Sequence, residues 1–557
     1  MIICGLKITH DAAIALIEDG TLVFSVEIEK IDNNKRHAKM QDLSYIEKTL
    51  NTFGYSMEDV DSWIVDGWRD LCDSKDGNNY IKLGDETIRV NNYQNRLIGL
   101  EENIFITGES SLIGKYNSYT HTYTHLCGSY CTSPFAKRGE SSYVMLFDGG
   151  SKPVLYYYDG ESKTFSFCQE ILKFGGDIYA DISSRFEPYT DMRKYVDGKY
   201  HFNLHFVGKV MAYIALGNKR SELIDLCYDI YEKLGTDNCI ENDWAQNRIF
   251  ANEFERQCKG KYPDVDCLAS FHYFVQEILS TKLVEAVDRQ SYQCNNICFS
   301  GGNMLNIKWN SEIRRTGRFT GIYAPPFIND SGSAIGAVCA EWLRVSKNCS
   351  IEWNTYCGMP VKKTETLCGW NKRQCSIKEL ANIIANIGEP IVMITGNCEI
   401  GPRALGCRSI LADPRSIEMK TVLNRIKRRE AYRPVAPICT EEDAPQYFIP
   451  GTPDKYMLFE HKVTERGTEI PAIVHIDGTA RLQTVSKGDN PIVYELLNEF
   501  KKITGVSVLC NTSANFLGRG FFPDVVSVQK WEGTNYIWSE GYIYEKEEKI
   551  RFPELDK

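Results

Sequence analysis

Between Glu399 and Arg415 the chain reads Glu-Ile-Gly-Pro-Arg-Ala-Leu-Gly-Cys-Arg-Ser-Ile-Leu-Ala-Asp-Pro-Arg, which sets Arg403, Arg408 and Arg415 close together among glycines and prolines. Glycine lets a backbone approach an anion and lend it N–H donors. Arginine adds a planar, permanently charged fork that matches phosphate or carboxylate oxygens. More cations follow at Lys427-Arg428-Arg429, Arg433 and Arg481. These residues suit an oxyanion-binding site. A solvated basic helix face is the alternative, although the glycines and prolines around the charges speak against a plain surface helix.

Other stretches carry chemistry of a different kind. His121-Thr-Tyr-Thr-His125 places two imidazoles one helical turn apart, where they can grip one metal ion or serve as an ordinary core pair. His10-Asp11 lies in a loop between two apolar runs and suits acid/base or ligand-orienting work, or is a turn with incidental polar residues. The apolar run Ser142–Phe147 ends in Asp148-Gly149-Gly150, a sequence fit for metal or phosphate chemistry. Asn296–Ser300 leads into Gly301-Gly302 and Asn306, a strand–turn–helix layout whose helix-start N–H groups would face a phosphate. Asp330, just before an apolar helical stretch, is either a helix cap or a further carboxylate of the site. Val506–Cys510 reads as a strand opening into a polar turn at Asn511-Thr512-Ser513, a natural place for ligand contacts.

The elements that must position these residues follow from periodicity. Short apolar runs at 2–5, 13–17 and 22–26, with Glu18-Asp19-Gly20 between the last two, predict strands and a hairpin. Apolar spacing predicts helices over 43–50, 270–287 and 333–342 and strands over 62–66, 142–147 and 154–158. Strand–Asp–Gly–Gly and strand–Gly–Gly–helix units in series suggest a repeated α/β scaffold that holds a nucleotide. A polar, aperiodic stretch at 344–358 predicts a domain boundary, giving parts 1–350 and 351–557.

Composition bounds the function classes. With 557 residues, 43% hydrophobic and 25% charged, the chain has the make-up of a globular protein of two or more domains. A net charge of −10 argues against non-specific nucleic-acid binding without excluding a local basic cleft. The twenty cysteines are scattered and form no Cys-x-x-Cys, so buried free thiols are expected. No membrane-length apolar run and no secretory leader are apparent, which predicts a cytoplasmic location. A homodimer is the default expectation for assembly.

Taken in order, these motifs resemble the NodU/CmcH-type O-carbamoyltransferase family over nearly the whole chain. The carrying residues are His10-Asp11-Ala-Ala13, His121-x-x-x-His125, Asp148-Gly-Gly150, Gly208-Lys-Val-Met211, Ser300-Gly-Gly-x-x-Leu-Asn306, Asp330-Ser-Gly332, Gly401–Arg415, Lys427-x-Arg-Glu430, Arg433-Pro-x-Ala-Pro437, His475-x-Asp-Gly-Thr-Ala-Arg481 and Asn511-Thr-Ser513. The resemblance implies an α/β chain with an actin/sugar-kinase-like (threonylcarbamoyl-transferase-like) N-terminal domain and a YrdC-like C-terminal domain.

It also implies that carbamoyl phosphate and ATP, with Mg²⁺, form carbamoyl-adenylate among Arg403, Arg408, Lys427, Arg429, Arg433, Arg481, Asn511 and Ser513. The carbamoyl group would then pass to a hydroxyl of a small molecule (a natural product or sugar) or of a hydroxymethylated nucleobase. His10 and Asp11 would do the proton work. His121, His125, Asp148 and Asp330 would hold a metal, iron by the resemblance. Asp148, Gly149, Gly150, Gly301, Gly302 and Asn306 would meet the nucleotide. A tRNA-type threonylcarbamoyl transferase and a non-catalytic nucleotide-binding regulator are the alternatives. Two places depart from the family pattern: Lys7-Ile-Thr before His10, and Gly518-Arg-Gly-Phe-Phe-Pro523, where relatives carry Gly-Glu-Pro-Ile.

Overall fold

In the computed structural model the described residues are 1–68, 78–93, 104–196, 199–202, 206–235 and 240–555. They build a mixed α/β protein of two compact units: Met1–Tyr93, Asn103–Thr132 and Asp330–Lys557 form one, and Gln94–Glu102 with Ser133–Asn329 the other.

The first unit opens on a six-stranded sheet in the order Thr21–Glu27, Ala13–Glu18, Ile2–Lys7, Ser62–Asp66, Gly114–Tyr119, Phe105–Ser110. Its first three strands form an antiparallel meander, and Ile2–Lys7 then pairs in parallel with Ser62–Asp66. Ile2–Lys7 is buried along nearly its whole length rather than on alternate residues. That is what a strand covered on both faces requires. Helix Ser333–Ser346 lies so close over one face that a Cβ on Gly5 would stand 2.5 Å from the Ala334 carbonyl oxygen. Helix His121–Cys131, N-capped by Thr120, packs beside it. Their contact is backbone to backbone, since a Cβ on Gly336 would come 1.9 Å from the Thr124 carbonyl oxygen.

The C-terminal part of this unit holds an eight-stranded mixed sheet, ordered Trp370–Gln374, Tyr542–Lys546, Tyr536–Ser539, Ile391–Ile394, Arg408–Ala412, Val508–Ser513, Ala436–Thr440, Gln483–Val485. Helices Ile377–Ile387 and Pro491–Thr504 pack together and close its core with Leu380, Ile384, Leu496 and Phe500. The strand expected over 506–510 runs from Val508 to Ser513, so Asn511, Thr512 and Ser513 are strand residues and not a turn. Their register is fixed by pairing with Arg408–Ala412.

The second unit carries a five-stranded sheet, Thr164–Glu170, Val154–Asp159, Ser142–Leu146, Asn296–Ser300, Gly321–Tyr323. Its wiring repeats that of five of the first sheet's six strands: a first strand, an antiparallel meander on one side and two parallel strands on the other. His10-Asp11 and Asp148-Gly149-Gly150 therefore occupy equivalent loops, each between the first and second strands of its own sheet. All described cysteines are free thiols, mostly buried. Among the described residues no helix is long and apolar enough to cross a membrane.

Because the helix bearing His121 and His125 seats directly on Gly336, Gly336→Ala is expected to cost about 1–3 kcal/mol, as overpacking of a tight contact does. Urea unfolding measures it, and an unchanged midpoint would mean that the two helices can separate freely.

Candidate active site

Helix His121–Cys131 turns both of its histidines toward one point, with the two Nε2 atoms 3.2 Å apart. Asp330 meets them there. Its carboxylate oxygens lie 3.6 Å from His121 Nε2 and 3.6 Å from His125 Nε2. Asp330 is not a helix cap, because Gly332 is the residue preceding helix Ser333–Ser346. One ligand atom from each of His121, His125 and Asp330 lies within 4.8 Å of the others. The Nδ1 of His121 bonds Asp66 Oδ2 at 2.8 Å, which leaves Nε2 facing the cluster. A ligand imidazole is usually fixed by such a carboxylate. Burial holds His121 below the ordinary imidazole pKa, so it stays neutral as a ligand must.

Around this cluster stand residues that no local sequence pattern reveals. Lys7, at the end of its strand, sits 3.1 Å from Asp66 and 3.3 Å from Asp330. The Trp68 ring lies edge-on to both His10 and His121, and Tyr93 leans against His121. His10 Nδ1 bonds Asp11 at 2.8 Å, and the other oxygen of Asp11 takes His37 Nδ1 at 2.7 Å. Burial disfavours the His10 imidazolium, yet Asp330 and Asp11 outweigh it and raise its pKa. Burial likewise opposes ionisation of Asp11, and the two imidazoles overcome it to hold its carboxyl far below the usual range.

The basic motifs converge on a second place in the same unit. Burial pushes Arg403, Lys427 and Arg429 well below their ordinary pKa values. Each is depressed further by neighbouring cations, and Arg36 and Arg433 act on all three. Arg481 falls to about 10 for the same reasons, burial first and then Arg433. Among the described residues no carboxylate forms an ion pair with Arg403, Lys427, Arg429 or Arg481, and the Nε atoms of Arg403 and Arg481 are buried without a partner. Arg433 leans on Glu430 at 3.8 Å. Lys427 donates to the carbonyls of Ser513 and Asn515, and Arg429 to the Thr512 hydroxyl. Asn511 spends its amide N–H groups on Ala404 and Gln483 and keeps a buried, unpartnered Oδ1. Ser513 bonds Asn515. A nest of cations without a paired carboxylate costs stability, and a visiting anion offsets that cost.

Arg408, expected beside them, is placed elsewhere. It is buried, and its guanidinium donates to the carbonyls of Thr395, Cys407, Met359 and Gly396, which is a clamp on backbone. Arg415 forks onto Asp413.

In the other unit the two glycine turns meet. Gly302 N–H donates to Asp148 Oδ1 at 3.2 Å, and Gly301 takes φ +92° where a Cβ would strike Phe147. Gly149 lies against Asp177, since a Cβ there would stand 3.1 Å from its Oδ1. Gly150 is in the turn that follows. Asn306 caps helix Ile307–Arg315 by accepting from the N–H groups of Lys308 and Trp309. Its side-chain oxygen is thus given to the backbone.

Comparison with known proteins agrees with the motif order. The family description "Carbamoyltransferase N-terminus" fits residues 2–339, and "Carbamoyltransferase C-terminus" fits 381–546. The chain belongs to the carbamoyltransferase family. A Nodulation protein U of Rhizobium tropici is 40% identical over 98% of this chain and 96% of its own length. Another from Sinorhizobium fredii is 39% identical over 98% and 99%. A 3'-hydroxymethylcephem-O-carbamoyltransferase of Amycolatopsis lactamdurans is 29% identical over 94% of each. Carbamoyltransferase membership makes the chain an enzyme.

Two measurements probe the charges. Arg403→Met removes one uncompensated cation, so the ligand-free variant should melt higher, by about 1–3 kcal/mol of stability. Pyrophosphate should stabilise the wild type and do much less for the variant. Asp177 is pushed up to about 7 by burial, with Asp148 and Asp181 adding like charge. A carboxyl raised in the folded state contributes stability below its unfolded pKa and loses it as pH climbs through the folded value. In EDTA, Asp177→Asn should therefore gain on the wild type in thermal melts from about pH 4 to about pH 7, with the difference level above that. A constant difference would place Asp177 in ordinary solvent.

Proposed function

We propose that the enzyme is an ATP-dependent O-carbamoyltransferase working in two steps, carried out by functional parts 1–350 and 351–557. The observation that carries this reading is the cation nest of Arg403, Lys427, Arg429 and Arg481, beside Arg433 and Arg36, whose four members form no ion pair with a carboxylate among the described residues. A carbamate donor and a nucleotide triphosphate together bring the negative charge that the nest lacks.

In the first step carbamoyl phosphate, ATP and water give carbamoyl-adenylate, phosphate and pyrophosphate, with Mg²⁺ accompanying the nucleotide. Arg403 and Lys427 stabilise charge developing on the phosphates. Arg429, Arg433, Arg481, Asn511 and Ser513 hold the substrates, and Arg36 joins them. In the second step the acceptor hydroxyl oxygen attacks the carbamoyl carbon, the bond to the adenylate oxygen breaks, and AMP leaves. His10, oriented by Asp11, takes the hydroxyl proton. The Gly149-Gly150 turn offers backbone N–H donors to the nucleotide, and Gly301-Gly302, whose own N–H groups go to Ile328 and Asp148, lets it approach the backbone closely.

His121, His125 and Asp330 would hold a divalent metal. Two imidazoles, that of His121 kept neutral by burial, and the buried Asp330 carboxylate suit a first-row ion, iron(II) in our reading. Such an ion, when bound, polarises a carbonyl as a Lewis acid. Trp68 and Tyr93 wall the site and limit water. The five-strand wiring common to the six-stranded and five-stranded sheets supports an actin/sugar-kinase-like N-terminal part, and we assign the C-terminal part to the YrdC-like type. The acceptor we propose is a small-molecule hydroxyl, as in the named cephem carbamoyltransferase, in keeping with an acidic chain.

Carbamoyl-phosphate-dependent release of pyrophosphate from ATP tests the first step. Lys427→Ala should lower it by about 10²-fold or more, the scale of losing one preorganised charge. His121→Ala should keep pyrophosphate release and lose transfer to the acceptor. No release by the wild type would end this proposal.

A further inference from the structure

An ammonium inside a chamber shaped for a metal ion is unexpected. Lys7 closes strand Ile2–Lys7 and is buried. Its Nζ lies 3.1 Å from Asp66 Oδ2, 3.3 Å from Asp330 Oδ2 and 3.8 Å from the centre of the Trp68 ring. Both carboxylates already have a task. Asp66 orients His121 through Nδ1 and accepts a hydrogen bond from Thr124 Oγ1 at 2.7 Å. Asp330 reaches the Nε2 atoms of His121 and His125, and stands 3.5 Å from His10 Nε2. The carboxylate offered to a cation is thus already facing one that is covalently fixed.

We infer that Lys7 is a built-in counter-cation that competes with the divalent ion for Asp330. The inference rests on the metal-site reading above. Without an ion, the ammonium neutralises Asp330 and Asp66, and their charge would otherwise set two carboxylates against each other in a buried place. With an ion bound, the ammonium remains beside it and repels it, because Lys7 is buried and its Nζ is held over the Trp68 face. Affinity is therefore held down, and the ion exchanges more readily than its ligand set alone would allow. Ions of higher charge suffer more from the same neighbour, so the site disfavours a trivalent ion relative to a divalent one. Lys7 is a positioning and selectivity residue: it acts through Asp66 and Asp330.

Titration with Co²⁺, read from its visible absorption, tests this on the full-length protein. Wild type, Lys7→Met, Lys7→Gln and His121→Ala are compared after treatment with a chelator. Both neutral variants should bind Co²⁺ about tenfold tighter or more, with the same band shape, since the ligands are unchanged. Their ion-free forms should melt lower than the wild type, and Co²⁺ should restore them. If the neutral variants bind no more tightly than the wild type, the inference is overturned. If they fail to fold without metal but fold when produced with it, the inference stands, because the ion then replaces the missing charge. If they fold under neither condition, Lys7 is a structural residue and the inference falls. Equal, weak binding by wild type and His121→Ala would sink the metal site itself, a different failure from any that concerns Lys7.

Discussion

Like charges held together away from water dominate this protein. Arg403, Lys427, Arg429 and Arg481 would each be hydrated and apart if the chain were free to choose. Instead the fold commits carbonyls, hydroxyls and amides to holding them in place: Ser513 and Asn515 on Lys427, Thr512 on Arg429. Those acceptors come from the strand Val508–Ser513 and the residues just after it, whose register against Arg408–Ala412 sets where the cations stand. Buried Arg408 locks the preceding turn through four carbonyls, so the loop that carries Arg403 has a stiff base. Stability is sacrificed locally, and the large core around Leu380, Ile384, Leu496 and Phe500 supplies the surplus that makes this tolerable.

The histidine cluster solves the opposite problem. There, acids and bases alternate: Lys7, Asp66, His121, Asp330, with His10, Asp11 and His37 in a second chain. Each carboxylate meets at least two basic groups, and Asp330 meets four, which keeps it ionised despite burial. Helix packing at Gly336 fixes the imidazoles, and the strand end fixes Lys7, so the donor set is assembled before any ligand arrives.

Much of this was legible in the residues, and the limits have physical causes. The i, i+4 spacing of His121 and His125 carries its own geometry once a helix is assumed, and the helix is there. The strands before His10 and Asp148 announce themselves by apolar runs. Lys7, Asp66, Trp68, Tyr93, Arg36 and His37 were not read as site residues, because each sits at a strand end or in a loop and meets the site only through tertiary pairing. Arg408 and Asn306 show the converse. Both lie in motifs that look like ligand contacts, yet Arg408 gives its guanidinium and Asn306 its side-chain oxygen to the chain itself, a distinction that composition and spacing do not encode. The polar turn expected at Asn511–Ser513 is a strand because its partner strand, far off in sequence, claims its backbone.

The short segment after strand Thr21–Glu27 is sewn to the C-terminal part with unusual thoroughness. Lys30 donates to the carbonyls of Glu399 and Gly401, Glu27 accepts from Gly401 N–H, and Asn33 and Arg519 exchange bonds with each other's loops. Gly520 passes so near Glu29 that a Cβ would lie 1.9 Å from its carbonyl oxygen. Scissors at residue 350 would thus not release two self-sufficient pieces. The C-terminal fragment would lose Arg36 from its cation nest and leave the carbonyls of 399, 401 and 520 without the side chains that satisfy them. Evolution could exchange the two parts among relatives only by carrying this seam along with them.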